Sequence, residues 1–401
     1  MLKKLIVVSL SAFLYSCSTE TEHKETIVVK DTIVKKEEPQ VDSIKVEEPT
    51  KICANDSLNA LANIMSGIAD TSNVLKFVKN STAYKSFSKS FDKRWMTYDS
   101  TRLTLLRNFR TNEISKVVKK QSTLFYPFSG PDILYAQTFF PDADKYVMIG
   151  LEPVGSFPQF KEEEKDSLEK YFNNVNTSLN AILKFSFFRT ASMSKDLKNE
   201  EVNGTLHLLT LFLKRTGNQL CSAKPVTVDS LGNVKYLNEF SDLRKIKSPT
   251  KGVEIQFSDV NNHPKTLYYF SLNAADGGLK YNKGFRAYLK NLGTINTYLK
   301  GASYLMHKDY FSIIENVILD QSEQVIQDDS GMALHYYLDS KYKWDFNFYG
   351  QYLKPIPMFA QFYQADLDSL YKLKGAKPIG FGIGYNFKDK NSNFMIATKK
   401  R

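Results

Sequence analysis

The sequence predicts an α+β protein: an N-terminal helical region, then mixed helices and a mainly antiparallel sheet, arranged in two lobes. Three observations carry this. Apolar residues recur at i, i+3, i+4 spacing near residue 60 and again across 82–118. Strict apolar–polar alternation appears after residue 250, as in Val253-Glu254-Ile255-Gln256-Phe257. A content of 42% hydrophobic and 24% charged residues is that of a chain able to bury a core.

Each element follows in turn. Asp56 and Ser57 precede Leu58, Leu61, Ile64, Met65 and Ile68, one stripe of a helix. Phe87, Phe91, Trp95 and Tyr98 mark a second helical region. Leu124 to Phe128 reads as a short strand, 130–140 as a helix, and Lys145 to Leu151 as a buried strand. Residues 161–184 form an amphipathic helix, and 203–215 one that is apolar nearly all round, hence buried. The alternating run at 253 and the run from Thr266 to Leu272 flank Asn261-Asn262-His263-Pro264, which predicts a hairpin. Residues 309–327 and 361–373 read as helices; Leu334–Leu338 and Trp344–Phe348 read as strands. Near the end, Ile379, Phe381, Ile383, Tyr385 and Phe387 alternate with Gly380, Gly382, Gly384 and Asn386. This predicts a strand with one bare face, packed closely by a helix, and Phe394–Ala397 pairing back on it.

The N-terminus states an address. Lys3 and Lys4 precede a run of about ten apolar or small residues, far short of the roughly 20 needed to span a bilayer. This is the layout of a secretory signal. The phrase Leu14-Tyr15-Ser16-Cys17 resembles the lipobox of bacterial lipoproteins, which implies cleavage before Cys17 and lipidation of its thiol. Residues 1–16 are then the signal peptide and 17–50 an acidic tether with too little apolar surface to offset its ordering entropy. Extended, the tether reaches up to roughly 100 Å at about 3.3 Å per residue. No later run is long and apolar enough to predict a membrane span. The body divides into 51–215, helix-rich, and 216–401, richer in strands, joined near 216–250. Cys53 and Cys221 remain beyond the anchor. Two separate buried thiols are the plainer expectation, and a disulfide is the alternative that an oxidising envelope allows.

Charge is uneven. Residues 18–50 carry nine acids and five bases, so the body from residue 51 holds the excess of Lys and Arg over the whole-chain net of +11. A basic body suits an anionic envelope component. The lysines are scattered, as on an ordinary solvated surface, and form no block that points to specific nucleic-acid binding.

Candidate chemistry has a structural reading beside it in each case. In Phe128-Ser129-Gly130-Pro131-Asp132-Ile133, Ser129 fits a helix N-cap with Asp132 at N3, and Phe128 and Ile133 hold the staple positions. The same Ser and Asp are a candidate nucleophile and base. Glu152 ends a strand in Gly150-Leu151-Glu152-Pro153-Val154-Gly155, where a carboxylate can face a cleft or a plain loop. His207 lies within the apolar helix, where a lone His is usually a satisfied core residue. Asp328-Asp329-Ser330-Gly331, with His335 four residues on, reads as a turn or as an acid–base pair. Metalloprotease, redox, serine-hydrolase and P-loop motifs are absent, and the five His are dispersed, so no metal or cofactor is expected.

Together, Phe128-Ser129-Gly130-Pro131-Asp132, Phe139-Phe140-Pro141, Gly150 to Gly155 and Asp328 to Gly331 resemble an uncharacterised family of secreted and lipid-anchored bacterial envelope proteins. The resemblance spans roughly residues 55–390 and implies no activity. The expectation is a lipid-anchored envelope protein, most simply of the outer membrane, with a binding or structural body. The alternative is an envelope hydrolase using Asp132, Glu152, His207, Asp328 and His335. The partner expected from Cys17 is the membrane itself.

Overall fold

A computed structural model describes residues 55–163, 165–185 and 203–400. Cys17, the tether and Cys53 lie outside the described residues. Lys51–Arg401 forms one compact unit with an α+β fold.

Its centre is a ten-stranded mixed sheet. In chain order the strands are β1 (Thr123–Tyr126), β2 (Lys145–Gly150), β3 (Gln219–Val228), β4 (Val234–Tyr236), β5 (Lys251–Ser258), β6 (Pro264–Ser271), β7 (Ile295–Leu299), β8 (Ser322–Gln327), β9 (Trp344–Tyr349) and β10 (Phe394–Lys399). Their spatial order is β4-β3-β5-β6-β2-β1-β7-β8-β10-β9. The five pairings toward the two edges are antiparallel. The central run β6-β2-β1-β7-β8 is parallel. The lobe boundary expected near 216–250 therefore falls inside one sheet: β2 pairs with β6 and β1 with β7 across it.

Helices cover both faces, which is why the central strands read as nearly unbroken apolar runs. Alternate residues serve opposite layers. Leu124, Tyr126, Tyr146 and Met148 point into one core with the helices Thr82–Tyr98, Ile133–Phe139 and Leu206–Arg215. Phe125, Val147 and Ile149 point into the other, with Phe285, Ile314 and Ile318 from Lys283–Lys290 and Ser312–Gln321. In the first layer Phe87 stacks on Phe172 at 5.0 Å and Trp95 meets Phe212 at 6.4 Å.

The hairpin at β5–β6 is as predicted. Asp259 Oδ1 accepts from Asn261 N at 2.8 Å and His263 N at 3.0 Å, and Asn262 takes φ 63°. Four local expectations are corrected. Leu334–Leu338 is a helix, in which Leu334 and Tyr337 are the buried pair at i, i+3. The predicted helix over 309–327 ends at Gln321, and 322–327 is β8. Ile379–Phe387 is not a strand, because Gly380 and Gly384 take φ of 75° and 59° and turn the chain while Phe381 and Ile383 still reach the core. The strand β10 pairs instead with β8 and β9.

Cys221, on β3, is disulfide-bonded, against the plainer expectation of two separate thiols. The sequence leaves Cys17 and Cys53 as partners. Asn55 N donates to Leu220 O at 3.1 Å, so the chain two residues after Cys53 runs beside Cys221.

Candidate functional site

The connections out of β1 and β7 leave the sheet on opposite faces. The helix Ile133–Phe139 carries the chain from β1 to β2 in one layer, and Ser312–Gln321 carries it from β7 to β8 in the other. A crevice at the carboxyl ends of neighbouring strands with such divergent connections is where open α/β sheets bind ligands. Here it holds a cluster of charge. Asp132 follows β1, Lys300 follows β7 directly, and Asp328 and Asp329 follow β8 directly.

Asp132 is the N-cap of its helix and receives Tyr135 N on Oδ1 at 3.3 Å. The expected cap, Ser129, is displaced because Phe128 and Gly130 take φ of 59° and 53°, which delays the helix to Ile133. Ser129 Oγ is buried and directs its hydroxyl to Gly130 O and Ile149 O. On its other oxygen Asp132 meets Lys300 Nζ at 2.5 Å and Tyr126 OH at 2.9 Å. Lys300 Nζ also sits 3.4 Å from the centroid of the Tyr135 ring. Burial raises the Asp132 carboxyl above its usual range, and Lys300 opposes that rise.

Asp328 accepts from Gly301 N at 2.9 Å and Ser330 N at 3.0 Å, and from the Ser330 hydroxyl. Asp329 accepts from Tyr304 OH at 2.6 Å and Asn393 Nδ2 at 3.1 Å, while its own N–H donates to Asn393 Oδ1 at 2.7 Å. Burial, and then the neighbouring Asp328, push Asp329 up to about 7. Gly384 lies against Asp328 so closely that a Cβ there would overlap Oδ2. The three carboxylates are 1%, 2% and 4% exposed, so the cluster is sealed. One group in it is unsatisfied: the Tyr298 hydroxyl, fully buried on β7, has no hydrogen-bond partner. Burial, Asp132, Tyr135 and Asp328 all raise its pKa.

The side chains of the other candidates make their hydrogen bonds elsewhere or, among the described residues, make none. Glu152, after β2, is buried, with Tyr269 OH at 2.9 Å from its carbonyl and 3.4 Å from Oε2. His207 packs in the helical layer, its Nδ1 2.8 Å from Tyr171 OH, and burial lowers it to about 3. His335 is exposed against the Tyr336 ring at 4.1 Å. Asp132 and Asp328 are thus linked through Lys300 and Gly301, and among the described residues no hydrogen bond joins Glu152, His207 or His335 to either of them. Sequence reasoning missed Lys300, Tyr298, Tyr304, His307 and Asn393. The available signal for Lys300 was a charged residue directly after the strand-like stretch Ile295–Leu299, as Glu152 ends a strand. His307 Nε2 donates to Asp329 O at 3.2 Å, and burial lowers it to about 4.

No family model matches this sequence, and no curated protein or solved structure is similar to it. Among the described residues no group of three or more His, Cys, Asp or Glu is placed to hold a metal ion. None of the described helices is long and apolar enough to cross a membrane.

Beside the sealed cluster, along the same edge of the sheet, lies an open cavity of about 680 Å³. Pro153 to Gln159, which follow β2, form one wall; Asn238 to Ser241, Leu243, Arg244 and Lys251 form the other. The first wall is held by Thr205 N on Pro153 O at 2.9 Å, Leu206 N on Val154 O at 2.9 Å and Ser156 N on Asn203 Oδ1 at 2.8 Å.

Proposed function

We propose that this chain is a lipid-anchored cell-envelope protein whose α+β body is a binding module. The observation that carries the choice of binding over catalysis is the state of the switch-point carboxylates. Asp132, Asp328 and Asp329 are each held by two or more protein donors and are closed to solvent. A general acid or base must instead lie within reach of a substrate atom. The open cavity on the same edge supplies the accessible surface that a binder needs. The signal-like N-terminus, Cys17 and the resemblance to secreted and lipid-anchored proteins support the address, with the membrane as partner through the lipid. Stable retention requires more than one acyl chain. Replacing Cys17 by Ala is expected to release the protein from outer-membrane fractions or leave it unprocessed. Unchanged fractionation and unchanged mass would sink the anchor.

One observation favours the hydrolase reading. Asp329, pushed up to about 7, and the unpartnered Tyr298 hydroxyl, which lies near Asp132 and Asp328 in the same cluster, are groups of the kind an acid–base centre uses. Turnover of envelope polymers that disappears in both Asp328→Asn and Asp329→Asn, with folding intact, would replace binding by hydrolysis.

A further inference from the structure

The cavity walls carry groups that the fold leaves unused. Arg244 and Lys251 make no ion pair among the described residues, whereas their neighbours Lys235 and Lys245 are paired with Asp229 and Asp242. Gln159, Asn238 and Ser271 line the same space and their side chains make no hydrogen bond among the described residues. An amide both donates and accepts, and so does a hydroxyl. Phe157 and Phe240 meet edge to face at 5.7 Å and add an apolar surface. The one acid of the lining, Glu239, already accepts from Ser241 Oγ at 3.1 Å. The lining therefore carries two cations and one acid.

Each feature narrows the occupant. Unpaired cations at a cavity favour an anion. Free amides and a hydroxyl favour a ligand that offers donors and acceptors together, as a polyol does. The aromatic pair suits the apolar face of a ring. A volume of about 680 Å³ is that of a small-molecule site and holds several rings. The wall is also rigid, because Gly155 and Gly204 cross in backbone contact and the Asn203 amide ties both ends of Ser156, with Nδ2 on its Oγ at 3.1 Å. Little ordering is then left for binding to impose.

We propose that this cavity binds an acidic saccharide, with Arg244 and Lys251 taking the carboxylate, Gln159, Asn238 and Ser271 taking hydroxyls, and Phe157 and Phe240 covering a ring face. The proposal rests on the binding-module reading and names the ligand class of that module.

The test is calorimetric titration of the full-length protein in non-ionic detergent with trigalacturonic acid, and with maltotriose as a neutral counterpart. Saturable binding of the acidic trisaccharide is expected, weakened about tenfold or more by Arg244→Gln and by Lys251→Met, since a hydrogen bond to a charged group carries that weight. Maltotriose is expected to bind at least tenfold more weakly and to be indifferent to either variant. No saturable binding of trigalacturonic acid, or binding unmoved by both variants, overturns the proposal. Equal binding of maltotriose overturns the assignment of an anion. Far-ultraviolet dichroism of each variant separates lost binding from lost folding; Arg244 is exposed and Lys251 half-buried, and neither has an ion-pair partner among the described residues whose loss would disturb the fold. Product analysis after the titration separates this proposal from the reading beneath it. Binding with cleavage would retain the site and refute a pure binder. No binding and no cleavage would refute the site alone.

Discussion

Two charged regions share the carboxyl edge of one sheet and are built oppositely. At β1, β7 and β8 the charges are sealed and held by protein groups: Lys300 against Asp132, Tyr304 and Asn393 against Asp329. At the cavity beyond the carboxyl ends of β2 and β6, Arg244, in the helix Asp242–Lys245, and Lys251, at the start of β5, have no ion-pair partner among the described residues. Burying an ion pair rarely adds net stability, but breaking one is costly, because the remaining charge is left in a low-dielectric interior. An unpaired cation in solvent has no such debt and is available to a ligand. Charge in the first region holds the fold; charge in the second is free for recognition.

The largest test of this contrast is Lys300→Met. It should cost about 3–5 kcal/mol by urea denaturation, because Asp132 is left buried and unpaired. Adding Asp132→Asn should recover most of that loss, since Asn caps a helix about as well as Asp. A loss below about 1 kcal/mol in the single variant would mean that the buried pair carries little weight.

The seal itself comes next. Gly384→Ala should cost about 2–4 kcal/mol, because the new Cβ meets Asp328 at a φ of 59°. Gly380→Ala, also at positive φ but with nothing within 4 Å, should cost only about 1–2 kcal/mol. Equal losses at the two positions would show that the carboxylate is not the obstacle.

Acidity distinguishes the sealed region from the helical layer. The native Asp329 holds its proton up to about 7, whereas an unfolded Asp releases it near about 3.9. Between those values the unfolded state binds fewer protons, so this group makes stability fall as pH rises from about 4 to about 7. His207 acts in reverse. Burial holds it near 3, so the unfolded state binds more protons below about 6.5, and stability falls as pH drops toward 3. Denaturation followed across pH should lose the first slope in Asp329→Asn. It should lose part of the second in His207→Asn, which keeps an acceptor for Tyr171. Slopes unchanged in both variants would refute the assignments.

The smallest expected effect is at the open region. Arg244→Gln and Lys251→Met should each change stability by no more than about 0.5 kcal/mol, as surface substitutions do. A loss of 2 kcal/mol or more at either would place that residue in the fold and erase the contrast.

Sequence alone determined the α+β class, the helices at 56 and 82, the hairpin at 251–271 and the strand Lys145–Gly150. In each of these, apolar period and turn residues are local signals that a few neighbours complete. It also singled out Asp132 and Asp328, because a carboxylate beside a turn after an apolar run is visible in one dimension. Only the tertiary structure decided that Asp132 caps its helix in place of Ser129, since that choice turns on the left-handed backbone at Phe128 and Gly130. Only it made Leu334–Leu338 a helix, because a segment of five residues is too short to show a period of its own. Lys300 and Asn393 were illegible for a further reason. Their partners lie far off in the chain, and they meet only because β1, β7, β8 and β10 lie close together in one sheet. Pairing of parallel strands is a long-range event with no local mark, so the site it assembles cannot be read before the sheet is formed.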